Sequence, residues 1–201
     1  MIALIDYNVG NLASIINAFK KVGSDITLVS NPEELKNYDK AILPGVGAYG
    51  DAMEHLKDRG MDEAIKEYAK SGNYMIGICL GMQLLFQESE EFGQNSGLGL
   101  IDGSIKYFDV DRVGDRKIPH MGWNEMRCSD DAIFAGLNPK NYLYFVHSLH
   151  AVTDEKNIIG KTTYGYEFCA AVRKDNIYGF QPHPEKSHDI GLKIVKNFID
   201  L

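Results

Sequence analysis

Cys79 stands in Gly77-Ile78-Cys79-Leu80-Gly81, between an apolar run, YMIGI (74–78), and the helix-like stretch CLGMQLLF. A nucleophile on a sharp strand-to-helix turn is the elbow arrangement of hydrolases, here with a thiol instead of a hydroxyl. The tight turn strains the nucleophile's backbone, and glycines at 77 and 81 let strand and helix approach closely. The thiol then projects at a helix N-terminus, where the dipole and free N–H groups favour thiolate. The N–H of Leu80, next in the chain, is placed to donate to an oxyanion. The plainer reading is a small buried cysteine without chemistry.

A second cluster is Gln181-Pro182-His183-Pro184-Glu185-Lys186-Ser187, after the strand-like IYGF. A base and an acid two residues apart on an extended segment face the same way. His183 would take the thiol proton and return it to departing ammonia, while Glu185 holds the imidazole's tautomer. Pre-proline positions bias Gln181 and His183 towards extended backbone. Alternatively this is a surface loop with one ordinary histidine. The third cluster, Leu43-Pro44-Gly45-Val46-Gly47-Ala48, is a glycine-rich loop able to offer backbone N–H groups to an oxyanion. It could equally be a plain turn or a phosphate cradle, but without a following GK[ST] it is not a P-loop. Together, a thiol, a His–Glu pair and two oxyanion donors fit acyl transfer from an amide.

The elements that must position these groups alternate in the first half. IALID (2–6), ITLV (26–29), KAIL (40–43) and YMIGI read as strands; 11–22, 51–57 and 61–70 have helical spacing. Such alternation predicts a parallel sheet wrapped by helices, with ligands at the strands' C-terminal edge. Cys79 and the PGVG loop both fall there. Runs near 100–107, 118–127, 142–153, 158–163, 166–173 and 176–181 predict an antiparallel or mixed extension, and 188–200 an amphipathic helix. No linker divides residues 1–201, so a single domain is expected.

The chain has 201 residues, 44% apolar and 24% charged, enough to bury a core. A net charge of −7 argues against a chain-wide attraction to nucleic acid or membrane. Three cysteines without a CxxC pair argue against a disulfide framework or zinc site, so reduced thiols in a cytoplasm are expected. MIALIDYNVG lacks the layout of a signal peptide, and no run reaches the length of a membrane span.

IDYNVGNLASI, LPGVGAYGDAM, GICLGMQLLF, GLGLIDG, KIPHMGWNEM, YFVHS and HPEKS span almost the whole chain. In these stretches it resembles the class I (triad) glutamine amidotransferases and, within them, the glutaminase subunits of imidazole glycerol phosphate synthases. The resemblance implies a flavodoxin-like α/β fold with an added mixed sheet. It implies glutamine hydrolysis through a thioester on Cys79, with His183 and Glu185 completing the triad and no cofactor or metal. Ammonia would pass to a (β/α)8-barrel cyclase partner, in a heterodimer, for histidine biosynthesis. The peptide around Val46 and Gly47 would rotate to complete the oxyanion hole with Leu80. Gln83 and the backbone of His147, Ser148 and Leu149 would hold the substrate's amino and carboxylate groups. Asn11, Trp123, Tyr144 and Lys186 match positions that face the partner.

Plainer readings stand beside these. Trp123 and Tyr144 could be packed residues, Gln83 a helix-surface residue and Lys186 a solvated one. His120 and His147 are read as orienting loops, and His55 and His188 as surface residues. The chain departs from the family at Pro182, Asn8, Leu149 and His150; Asn8 can still take the positive φ that glycine would supply. Paralogous glutaminases that feed surface-polysaccharide sugar amidotransferases form a second reading. A catalytically dead scaffold subunit is a third, and a cysteine peptidase of related fold a fourth.

Overall fold

The computed structural model describes residues 1–201. Its first half runs β1 (Ile2–Ile5), α1 (Leu12–Lys21), β2 (Ile26–Val29), β3 (Lys40–Leu43), α2 (Tyr49–Asp58), α3 (Met61–Lys70), β4 (Tyr74–Ile78) and α4 (Leu80–Leu84). Then follow β5 (Phe86–Ser89), β6 (Asn95–Ser96), β7 (Ile101–Tyr107), α5 (Val110–Val113), β8 (His120–Cys128) and β9 (Lys140–His147). The chain continues through β10 (Leu149–Val152), β11 (Ile158–Tyr164), β12 (Tyr166–Lys174), β13 (Ile177–Phe180) and α6 (His188–Asp200).

Five strands form the parallel part in the order β2-β1-β3-β4-β13. Both faces are covered along β1, β3, β4 and β13, which is why these strands read as apolar runs, whereas the edge strand β2 leaves Thr27 and Leu28 exposed. The two-residue period sorts them: Ala3, Ile5, Ala41, Leu43 and Met75 pack with α2 and α3. Ile2, Leu4, Ile42, Ile76 and Ile78 point the other way, towards Ile15 and Phe19 of α1 and Ile194 and Phe198 of α6. β12 pairs antiparallel with β13 and continues the sheet through β10, β7, β5 and β6, while β11, β8 and β9 branch from β12. All thirteen strands join in one sheet, parallel at one end and mixed at the other.

Two stretches differ from the sequence expectation. The run 142–153 is two strands, β9 and β10, with different partners and a break at Ser148. The helix after Cys79 ends at Leu84, because the carbonyls of Leu84, Leu85 and Phe86 accept from the N–H groups of residues 98–101. Those carbonyls are no longer free to continue an α-helix. The run CLGMQLLF is buried throughout and carries no amphipathic signal that could mark this change.

Candidate active site

β4 turns into α4 at Cys79, whose backbone has φ 56° and ψ −113°. A non-glycine residue in this region carries strain that the surroundings must hold. They do so tightly. A Cβ on Gly77 would lie 2.6 Å from Gly81 O, and one on Gly81 would overlap Leu43 O. Cys79 N donates to Phe180 O at 2.7 Å, tying the elbow to β13. The sulphur itself is 3.9 Å from both Val146 O and Gln181 Nε2.

β13 leads directly to His183, whose N–H donates to Tyr144 O at 2.8 Å. The backbone is extended only as far as this residue. Pro184–Lys186 is a turn of 3-10 helix, which brings Glu185 back beneath the ring, rather than both side chains leaving one straight segment. His183 Nδ1 and Glu185 Oε1 lie 2.7 Å apart, both side chains at most 4% exposed. Nε2, the other ring nitrogen, is buried without a hydrogen-bond partner, and His183 and Cys79 line the same cavity. Burial pushes the imidazole down, but Cys79 and Glu185 together raise it to about 9. Pro182, the departure beside the histidine, costs no bond here: its neighbours Gln181 and His183 both keep backbone partners.

The glycine-rich loop follows β3 and lies against the elbow. Tyr7 Oη donates to Pro44 O at 2.7 Å, and a Cβ on Gly45 would meet Gly81 N at 2.8 Å. Beyond this anchored part Gly47 has φ +97° and open space where a side chain would stand. Asn8, beneath the loop's anchor, takes φ 69°, the role open to asparagine.

A cavity of about 330 Å³ opens over these groups. Cys79 and His183 line it, with Val46, Gly47 and Leu80 along one side. Gln83, His147, Ser148 and Leu149 line it too. Gln83 is not a helix-surface residue. It is 6% exposed, and its amide nitrogen donates to Gln181 Oε1 at 2.9 Å and Leu149 O at 3.4 Å. The arrangement offers a thiol, a carboxylate-backed base and facing backbone, which is what attack on a carboxamide requires.

The family model described as "Glutamine amidotransferase class-I" matches residues 3–201. This chain is a class I glutamine amidotransferase. It is 60% identical to a Sulfurimonas denitrificans protein named imidazole glycerol phosphate synthase subunit HisH, over 98% of this chain and 97% of that one. A Wolinella succinogenes protein of the same name is 53% identical over the full length of both. The solved structure of PurLQS from Thermotoga maritima superposes with a TM-score of 0.77 at 20% identity, covering 99% of this chain and 97% of that one. It supports the fold alone.

Of the residues expected to face a partner, Lys186 lines this amidotransferase's cavity, Trp123 and Asn11 are exposed, and Tyr144 and Lys186 are half-buried. Trp123 is 46% exposed and lies flat on His188, ring centroids 4.9 Å apart. Tyr144 meets its edge at 6.1 Å, and Lys186 Nζ sits 5.8 Å over the Tyr144 ring. Trp123 is therefore not a core residue, and His188 is an exposed surface histidine, as expected, that supports the indole ring. Asn11 is exposed and caps α1 through Ser14 N. Sequence reasoning missed Val146, Gln181, Glu91 and Pro119 as neighbours of the site. Gln181 had a legible signal: it continues the two-residue alternation from Gly179, whose face meets Met82 of α4. Glu91 had none; it arrives from a loop and accepts from Tyr49 N at 2.6 Å, at the start of α2.

Proposed function

We propose that this chain is the glutaminase subunit of imidazole glycerol phosphate synthase, releasing ammonia for a (β/α)8-barrel cyclase partner in histidine biosynthesis. The observation that carries the chemistry is His183, held by Glu185 on Nδ1 with Nε2 left unpartnered, in the same cavity as Cys79 on its strained elbow. The full-length relatives that share the HisH name support this acceptor over a surface-sugar synthase. The assembled site argues against a dead scaffold. No helix is long and apolar enough to cross a membrane, and a cytoplasmic heterodimer fits this reading.

His183 Nε2 takes the Cys79 proton, and Sγ attacks the side-chain amide carbon of glutamine. The carbonyl oxygen becomes an oxyanion facing the N–H of Leu80 and the peptide at Val46–Gly47. His183 gives its proton to the amide nitrogen, the C–N bond breaks, and ammonia leaves a γ-glutamyl thioester. Water, deprotonated by His183, attacks the thioester; glutamate departs and the proton returns to sulphur. Glu185 keeps the imidazole oriented and balances its charge throughout. Gln83 and the backbone of residues 147–149 hold the amino-acid end, so the amide reaches the thiol in one pose.

The test is to purify the chain with its stoichiometric companion and measure synthesis from glutamine and from ammonium salts. Cys79→Ala is expected to abolish the first and spare the second. Loss of both would overturn a dedicated glutaminase role. A companion that aminates a nucleotide sugar would transfer the chemistry to the second acceptor.

A further inference from the structure

Two histidines unused by the hydrolytic chemistry stand one behind the other at the cavity. His147 lines it, and His120, 2% exposed, lies behind in β8. His120 Nδ1 is 2.9 Å from His147 Nε2. His147 Nδ1 is 2.7 Å from Leu149 O, and Asn124 Nδ2 is 3.1 Å from His120 Nε2.

The ends of this chain dictate its direction. A carbonyl only accepts, so His147 Nδ1 carries a proton and its Nε2, in the neutral ring, accepts. His120 Nδ1 must then donate, and His120 Nε2 must accept from Asn124. The asparagine amide is oriented independently: Nδ2 also donates to Thr163 O at 3.0 Å, and Oδ1 accepts from Glu125 N at 2.8 Å. One tautomeric solution remains, Asn124 to His120 to His147 to Leu149 O. Burial keeps both rings neutral, with His120 near 4 and His147 near 3. His120 also stacks on Phe145 at 4.8 Å, which holds its plane.

Leu149 O continues the chain towards the nucleophile. It accepts from Gln83 Nε2, which also donates to Gln181 Oε1, and Gln181 Nε2 faces Cys79 Sγ. We propose that His120 is a positioning residue for glutamine: its Nδ1–H donates to Nε2 of His147, whose tautomer Leu149 O already sets, and so holds that ring in place and with it the 147–149 wall and the Gln83 amide. The proposal rests on the glutaminase reading of the same cavity.

The experiment uses the complex with the barrel partner. His120→Phe keeps an aromatic ring but removes both nitrogens, whereas His120→Asn restores a donor near the Nδ1 position. His120→Phe should raise KM for glutamine about tenfold or more while ammonium-dependent synthesis stays unchanged. His120→Asn should return KM to within about threefold of the parent, which a merely space-filling role would not do. Nitrogen NMR of histidine-labelled protein should show His147 as Nδ1–H in the parent, and its Nε2 resonance should shift in His120→Phe as the donor to that nitrogen is lost. Asn124→Ala, at the strand surface, should shift KM and the His147 Nε2 resonance in the same direction, and decides the matter if His120→Phe does not fold. Parental KM and an unshifted His147 Nε2 resonance in these variants would overturn the proposal. A parent complex that releases no ammonia from glutamine would overturn the glutaminase reading instead.

Discussion

At the scale of single residues, the site depends on contacts that leave no room for an extra methyl group. A Cβ on Gly81 would overlap Leu43 O, a backbone atom that no side-chain rotation can move. Gly81→Ala is therefore expected to displace the elbow and lower glutamine-dependent activity about a hundredfold or more, a loss of the size produced by misplacing reacting groups by an ångström. Alkylation of Cys79 by a glutamine-mimicking electrophile should slow in parallel; unchanged labelling would contradict the close packing. Glu185→Gln retains shape but loses the charge that holds His183. Its kcat should fall about 10²- to 10⁴-fold, the usual contribution of a positioned acid–base group, with KM for glutamine near parental. A KM effect without a kcat effect would move Glu185 out of the proton chemistry.

The histidines also set a pH profile, with opposite signs. Burial depresses His147 and His120 below the ordinary 6.5. Around His147 stand His120, His150 and His183, so no carboxylate offsets that depression. Their contribution to stability is complete above about pH 6.5 and is lost as pH falls towards 4, because the unfolded chain takes up protons first. His183 is raised to about 9. Its contribution is complete below about 6.5 and is lost as pH rises through 9. Thermal unfolding should therefore show the highest Tm close to neutrality. His183→Asn should remove part of the alkaline decline and leave the acid one; an unaltered alkaline limb would dismiss the His183 assignment.

At the scale of elements, legibility followed periodicity. Helix α1 and strands β1, β3 and β4 were readable because each buries either one stripe or two whole faces. The elbow was readable because its glycines and cysteine have a steric reason to be adjacent. What could not be read was where neighbouring elements take a segment's carbonyls. The early end of α4 depends on residues 98–101, and the break at Ser148 depends on β9 and β10 finding different partners. Both are tertiary facts without a local signature. Glu185 shows the same thing in small: the two-residue spacing suggested an extended strand, whereas a 3-10 turn delivers the carboxylate.

At the scale of the whole molecule, the cavity and the Trp123–Tyr144–Lys186 cluster open on the same side, since Lys186 belongs to both. A partner covering the aromatic pair would also cover the Lys186 side of the cavity. Trp123→Ala is expected to weaken association with the barrel partner by ~2 kcal/mol, ~30-fold, as exposed aromatic anchors do. Its Tm should hardly change, because the side chain is 46% exposed. Unchanged affinity by titration calorimetry would place the docking face elsewhere.

One topological detail bears on when the enzyme can first act. The strand beside the elbow, β13, is drawn from residues 177–180, yet it is inserted between β4 and β12 near the middle of the sheet. A nascent polypeptide elongated only as far as residue 176 has already made its thiol and glycine loop, but lacks both the Phe180 acceptor and the base. Any fragment that stops there can bring no imidazole to its sulphur, so the order in which the sheet is filled also orders the appearance of reactivity.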